Sequence, residues 1–412
     1  MGRSGRRSSG SGLPPVRQIE LSEKDRKKRL ILLVILLAIA VVSLTVGMFS
    51  ALNTEPGWTA VECTASVINC SNDLVFQYCY GQSERSATEE KKALTLLYSE
   101  ATVDAYRIFY EEVLTLGTTV NEPIVVDHAL YEALELINQS GNRCLYLAPV
   151  YAEYNRIFNS ENEVEATDAD PGQNPELVGY ITELVGFAND PEMIRVELLG
   201  NDQAKLYVAP EYLTFAETNE ITEFLDLGWM TNAFIVDYIA DVVLNAGFAN
   251  GYLVSYDGFT RNMDNRGERF GLSLFNRQKN DIHLAATMEY EQPLAIVYVR
   301  DFPMSTQDKY HYYPFHNGRI ASAMIDPEDG MCKTASDCFV FSASDLSCAQ
   351  LLLKTIPVFL TDSLDVASLD ALKTQGISSI WFEGMTLYCN DSALEILLHE
   401  ESGMPYSVQY KS

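Results

Sequence analysis

The stretch Asp226-Leu227-Gly228-Trp229-Met230-Thr231-Asn232-Ala233-Phe234-Ile235-Val236-Asp237 lies near the middle of a 412-residue chain and reads as a turn that runs into a helix. Onward to Ala246, apolar residues recur at helical spacing (Ile235, Ile239, Val242, Val243), and Gly247 supplies the left-handed stop that helix ends favour. Downstream, 252–254, 270–275, 294–299 and 339–341 read as strands. A helix follows from Ser347 to Phe359, closed by Pro357, and another covers 364–373. Upstream, 61–80 alternates loosely as a strand or hairpin, and 86–120 has helical spacing. Residues 127–138 form an amphipathic pattern with Ala129, Leu130, Ala133, Leu134 and Ile137 on one face. Residues 192–226 read as strands and turns. Elements mix without regular alternation and without repeats, which predicts an α+β body.

With 47% hydrophobic residues the chain can bury a large core, and its length predicts two lobes. A formal charge of −28, from 29 basic and 57 acidic residues, excludes a nucleic-acid binder, which needs a basic face. The charge is unevenly spread. Residues 1–29 carry nine Arg and Lys against three acids, 30–52 carry no charge, and 53–412 hold the remaining 20 basic and 54 acidic residues. Twenty-three uncharged, mostly aliphatic residues reach about 34 Å as a helix, enough for a hydrocarbon core of about 30 Å. A cleaved signal would carry a shorter apolar run, and Phe49-Ser50-Ala51 is a poor cleavage match. The sequence therefore predicts a basic cytoplasmic tail (1–29), a transmembrane helix (30–52) and an exported body (53–412), oriented by the basic cluster ending at Arg29. Within that body, 159–175 holds five acids between Glu161 and Asp170, without the spacing or glycine turn of a calcium loop, and is expected to be a solvated insert.

All eight cysteines lie on the exported side, so disulfides are expected, with Cys63–Cys70 and Cys332–Cys338 the nearest local pairs. No C-x-x-C supports a redox or zinc site. Asn69, Asn138 and Asn390 match the glycosylation pattern, which matters only in a eukaryotic source.

Several stretches, taken in order, resemble the FAD:protein FMN transferase family, exported or membrane-tethered enzymes also described as thiamine-biosynthesis-type lipoproteins. The quoted turn is similar to the family's D-L-G-G-x-A-K-G-Y-A-V-D: Asp226, Leu227, Gly228, Val236 and Asp237 are kept, while the lysine and two glycines are not. Val254-Ser255-Tyr256-Asp257-Gly258 resembles N-L-G-G-D, and Phe270-Gly271-Leu272 resembles W-x-V-G-I. Tyr310, then 317–330, is similar to S-G-D-Y followed by D-G-x-x-Y-H-H-I-I-D-P-x-T-G; Ile325-Asp326-Pro327 and Gly330 survive, and Ala323 stands at a histidine position. Ala349 to Lys354 resembles A-D-A-L-A-T. The first half fits more loosely: 131–141 is similar to the helix before T-G-G-A-F-D, whose last four residues are replaced by Arg143-Cys144-Leu145-Tyr146.

The resemblance implies a flavin-transferase-like fold and transfer of FMN from FAD to a protein Ser or Thr. It implies a flavin pocket bordered by Gly228, Asn232, Asp237, Asp257, Gly258, Asp326 and Gly330. It also implies a magnesium site whose side-chain ligands would fall at Gln350 and Lys354. Magnesium wants oxygen ligands including carboxylate, whereas a neutral amide and an ammonium stand here. At about 4 Å and an effective dielectric near 20, an ammonium repels a divalent ion by several kcal/mol. Asp345, one helical turn upstream, could substitute only if the register slips. The expectation is thus a degenerate transferase. The alternative is a non-catalytic module binding flavin, with the Lys354 ammonium in the cation's place, or binding a redox protein or a true transferase at the membrane. Asp237 and Asp241, four apart on one helix, are expected on a solvated face; His311 and His316, off helical spacing, are expected at the surface or in packing. No G-x-S-x-G, phosphate loop or dinucleotide fingerprint occurs.

Overall fold

The strand Leu294–Arg300 is buried along its whole length, with Ala295, Val297 and Val299 packed into one hydrophobic core and Leu294, Ile296 and Tyr298 into another. Successive side chains on a strand point to opposite faces, so a strand covered on both sides must be apolar throughout. Cys338–Ala343 repeats the pattern: Phe339 and Phe341 face the first core, Cys338 and Val340 the second. These two strands sit mid-sheet in a nine-stranded sheet of spatial order Gly57–Val61, Leu74–Tyr80, Gly251–Ser255, Phe259–Asn262, Leu294–Arg300, Cys338–Ala343, Ser378–Glu383, Thr386–Cys389, Ser407–Tyr410. Every pairing is antiparallel except the last. The helices Glu84–Tyr106, Thr231–Asn245 and Cys348–Phe359 contribute to the larger core. The second core lies toward a three-stranded sheet of Phe270–Gln278, Asp281–Tyr290 and Glu395–Leu398.

The computed structural model describes residues 56–65, 74–279, 281–304, 308, 310–399 and 403–411. The proposed cytoplasmic tail and transmembrane stretch lie outside them, and among the described residues no helix is long and apolar enough to cross a membrane. Pro56–Ser412 clusters as one unit.

The α+β reading holds, and the predicted helices at 86–120, 127–138, 232–246 and 347–359 are present within a few residues. His128–Ser140 shows why: the Asp127 carboxylate accepts from the Ala129 N–H at its start, and Gly141 takes φ +71° at its end. Three expectations change. Residues 210–218, read as strand and turn, form the helix Pro210–Thr218, with proline in its first turn and Tyr212 and Ala216 buried. Asp281–Tyr290 is a strand that was not foreseen. The acidic insert is not simply solvated: Asn162 caps the helix Glu163–Ala169, and Asp170, fully buried, takes a two-pronged hydrogen bond from Arg319 at 2.8 and 3.0 Å.

The expected Cys332–Cys338 disulfide is absent. Both are free thiols, Cys332 packing against the first core and Cys338 inside the second, on opposite sides of the sheet. Cys70 lies outside the described residues, so the other pairing falls there too. Asn390 is buried with its amide bonded to Leu369 and Ser379, so it does not present its side chain as a glycan acceptor would, whereas Asn138 is exposed and donates to the Val196 carbonyl.

Candidate functional site

In the turn that opens the Thr231–Asn245 helix, Asp226 accepts a hydrogen bond from the Gly228 N–H at 2.7 Å. Burial pushes the Asp226 carboxyl above its usual range. Gly228 has φ +55°, and a Cβ there would lie 2.7 Å from the Tyr151 ring, so two constraints select glycine. Its carbonyl accepts from the Thr231 hydroxyl at 2.7 Å. Trp229 follows, 7% exposed, and forms a wall shared by two adjoining cavities together with His311 and Ala323.

The inner cavity is about 20 Å³ and is lined by Asp257, Arg300, His311, Tyr312 and Ala323 among others. A water needs roughly 10–15 Å³ by this measure, so it holds one. Asn232 donates to Asp257 at 2.8 Å, leaving Asn232 Oδ1 and Asp257 Oδ1 buried without a partner among the described residues. Burial raises the Asp257 carboxyl, and the neighbouring His311 partly offsets this. The Arg300 guanidinium is buried, 5.4 Å from the centre of the Tyr298 ring, and donates to the Tyr256 carbonyl at 3.3 Å. The outer cavity, about 230 Å³, has aromatic walls from Tyr110, Tyr151, Tyr154, Phe158, Trp229 and Tyr310.

Of the residues marked in the sequence, Gly228 and Asp257 line these cavities and Asn232 holds Asp257. The others serve the fold. Asp237, expected at the flavin or on a solvated face, is buried, and its two oxygens accept from the Cys348 and Ala349 N–H groups at 2.8 Å each. It thereby caps another helix, and burial raises its carboxyl. Asp241 alone of that pair is exposed. At Gly258, φ is +112° and a Cβ would sit 2.0 Å from the Tyr298 carbonyl oxygen: the close approach is of a neighbouring strand. Asp326 ties its own loop through the Glu328 N–H and pairs with Lys333 at 2.9 Å, while Gly330 packs against Ile181 and Val185. Burial pulls the Lys333 ammonium down, but Asp329, Asp326 and Asp362 outweigh it and hold it above its ordinary value.

At the implied metal position the donors do not fit magnesium. The Gln350 side chain returns to the Ser347 N–H in a capping box, Lys354 donates to Gln375 at 3.3 Å, and Asp345 is an exposed loop residue. The Lys354 ammonium is thus turned to Gln375, not held in a cation's place beside the cavities. The outer cavity, at about 230 Å³, is smaller than the roughly 300–1,000 Å³ that drug-sized ligands occupy. A single planar ring system is the size the outer cavity suits.

Sequence reading passed over Tyr151, Tyr154, Trp229 and Arg300, and it placed His311 at the surface or in packing. His316 does lie at the surface, paired with Glu163, but His311 faces both cavities. Tyr151 and Tyr154 are three apart on the helix Ala148–Phe158, a spacing shared by any core-facing pair, so nothing marked them.

No family model matches the sequence, and neither does any curated protein. Solved structures do match. The ApbE protein of Thermotoga maritima superposes with a TM-score of 0.55 at 10% identity, covering 84% of this chain and 97% of its own. The flavin transferase ApbE of Vibrio cholerae gives 0.50 at 12% identity, covering 85% and 99%, and a point mutant of it gives 0.51 at 11%, covering 83% and 97%. The body therefore has the fold of ApbE flavin transferases. At such identities the likeness speaks for the fold alone.

Proposed function

We propose that this protein is a membrane-anchored, extracytoplasmic chain that carries a flavin-transferase fold without FMN-transfer chemistry. It serves as a binding module that holds a redox protein or an active transferase at the membrane. The observation that carries this reading is the start of the Cys348–Phe359 helix. Its free N–H groups are taken by Asp237, and the two side chains at the implied ligand positions turn to Ser347 and Gln375. No carboxylate is left there to hold a cation against a pyrophosphate. The test uses the full chain in detergent with FAD, magnesium and a Ser/Thr acceptor peptide. The expected result is no covalent FMN on the peptide at any magnesium concentration; flavinylated peptide overturns the proposal.

A second reading, a flavin-ring binder that does no transfer, is favoured by the aromatic outer cavity and by the orphaned oxygens of Asn232 and Asp257 beside it. Riboflavin and FMN titrations separate the two. Quenching of tryptophan emission that is indifferent to EDTA supports the ring binder, and no response supports the partner module.

A further inference from the structure

The chain has three tryptophans, and two are buried: Trp229 at 7% exposure and Trp381 at 1%. Trp58, on the edge strand Gly57–Val61, is 41% exposed. It opens a groove of about 350 Å³ on the outer side of the sheet. Its ring lies 5.7 Å from both Tyr252 and Phe270, Tyr252 lies 5.9 Å from Phe270, and Phe270 stacks on Tyr290 at 5.6 Å. Single exposed apolar residues are ordinary, but a contiguous, partly exposed aromatic cluster such as this one is the kind of patch that marks an interaction surface. Tryptophan and tyrosine, apolar in body and polar at one end, concentrate where hydrocarbon meets water.

We propose that this groove rests on the headgroup layer of a zwitterionic phospholipid membrane. The proposal rests on the membrane anchoring put forward above. The uncharged run ends at Leu52, six residues before Trp58, and fully extended chain covers at most about 3.5 Å per residue. Trp58 therefore cannot lie more than about 20 Å along the chain from the end of that run. Charge selects the headgroup. Arg269 is surrounded by Glu289, Glu291 and Glu395, Arg266 lies 5.5 Å from the Trp58 ring but is neutralised by Asp264, and Glu268 lines the groove. The rim is net acidic. It suits a choline-type cation over aromatic faces and repels a surface of anionic lipid.

The test reconstitutes the full chain into phosphatidylcholine vesicles brominated at shallow acyl positions and reads tryptophan emission. Lipid quenching of the exposed emission, lost in Trp58→Phe and weakened when phosphatidylserine replaces phosphatidylcholine, is the expected result. A chain that floats with the vesicles, yet whose Trp58 is quenched only by aqueous iodide, overturns the inference and leaves the anchor standing. Protection from both quenchers means that another part of this chain, a second copy or a protein covers the groove, and equally overturns it. Stronger quenching in phosphatidylserine refutes the choice of headgroup, and a chain that does not float removes the anchor and the inference together.

Discussion

A methyl group on Gly258 would lie 2.0 Å from the Tyr298 carbonyl oxygen, at a φ of +112° that side chains rarely adopt. Neither backbone can yield without breaking the sheet between 259–262 and 294–300. Gly258→Ala should therefore cost at least about 3 kcal/mol in urea unfolding, beyond the range of ordinary surface changes. Asp301 makes a different kind of prediction. Burial and the nearby Asp337 push its carboxyl up to about 7, despite Arg277 at 3.0 Å. A carboxyl raised in the folded state binds its proton there at pH values where the unfolded chain has released it. Stability is then fullest below the unfolded value near 4 and falls as pH rises through 7. The loss is a few kcal/mol at most, since each tenfold change in proton affinity is worth about 1.4 kcal/mol. Asp301→Asn should flatten thermal stability between pH 4 and 7 while leaving the hydrogen bond to Arg277 available.

The Cys348–Phe359 helix carries two caps on one terminus. Ser347 accepts from the Gln350 N–H, and Asp237, reaching across from the Thr231–Asn245 helix, accepts from Cys348 and Ala349. Ser347→Ala should cost about 1 kcal/mol, as loss of an N-cap does. Asp237→Ala leaves two buried N–H groups unmet and should cost about 2–5 kcal/mol. Because both act on one helix end, the double variant should differ from the sum, and a double-mutant cycle by urea unfolding reads the difference. This element also shows where pattern reading stops. Its apolar face and its serine start are local features, visible at 347–359. That an aspartate 111 positions away completes its cap is a fact of packing. The same holds for Asp170 and Arg319, paired across 149 positions: an acidic run looks solvated until one of its carboxylates is found buried against a distant arginine.

Across the whole molecule, a formal charge of −28 repels itself at neutral pH. Asp226, Asp237, Asp257 and Asp301 are all raised, chiefly by burial, and so weaken the fold as pH rises above the ordinary carboxylate range. Glu197, held down by Arg195, acts in the opposite sense, as does Asp264, where hydrogen bonds from Arg266 outweigh burial: their contributions disappear as pH falls below the usual carboxylate values. Melting temperature should therefore peak on the mildly acid side, between about pH 4 and 6, and added salt should raise it at pH 7 by screening. A maximum at pH 8 would contradict this balance.

Sequence alone determined the mixed architecture, most of its helices and the turn at Asp226–Gly228, because periodicity, caps and glycine stops are written locally. The order of surviving motif fragments also carried the kinship of fold, which structures at 10–12% identity bear out. Which polar groups face a cavity and which tie the frame together was decided only in three dimensions. Asp237 and Gly258 serve the frame, whereas Asp257 and His311 border the cavity. A carboxylate or an imidazole looks the same in the chain wherever its partners fold to. Its role depends on which distant N–H, ring or carbonyl closes on it, and that contact exists only once the sheet has assembled.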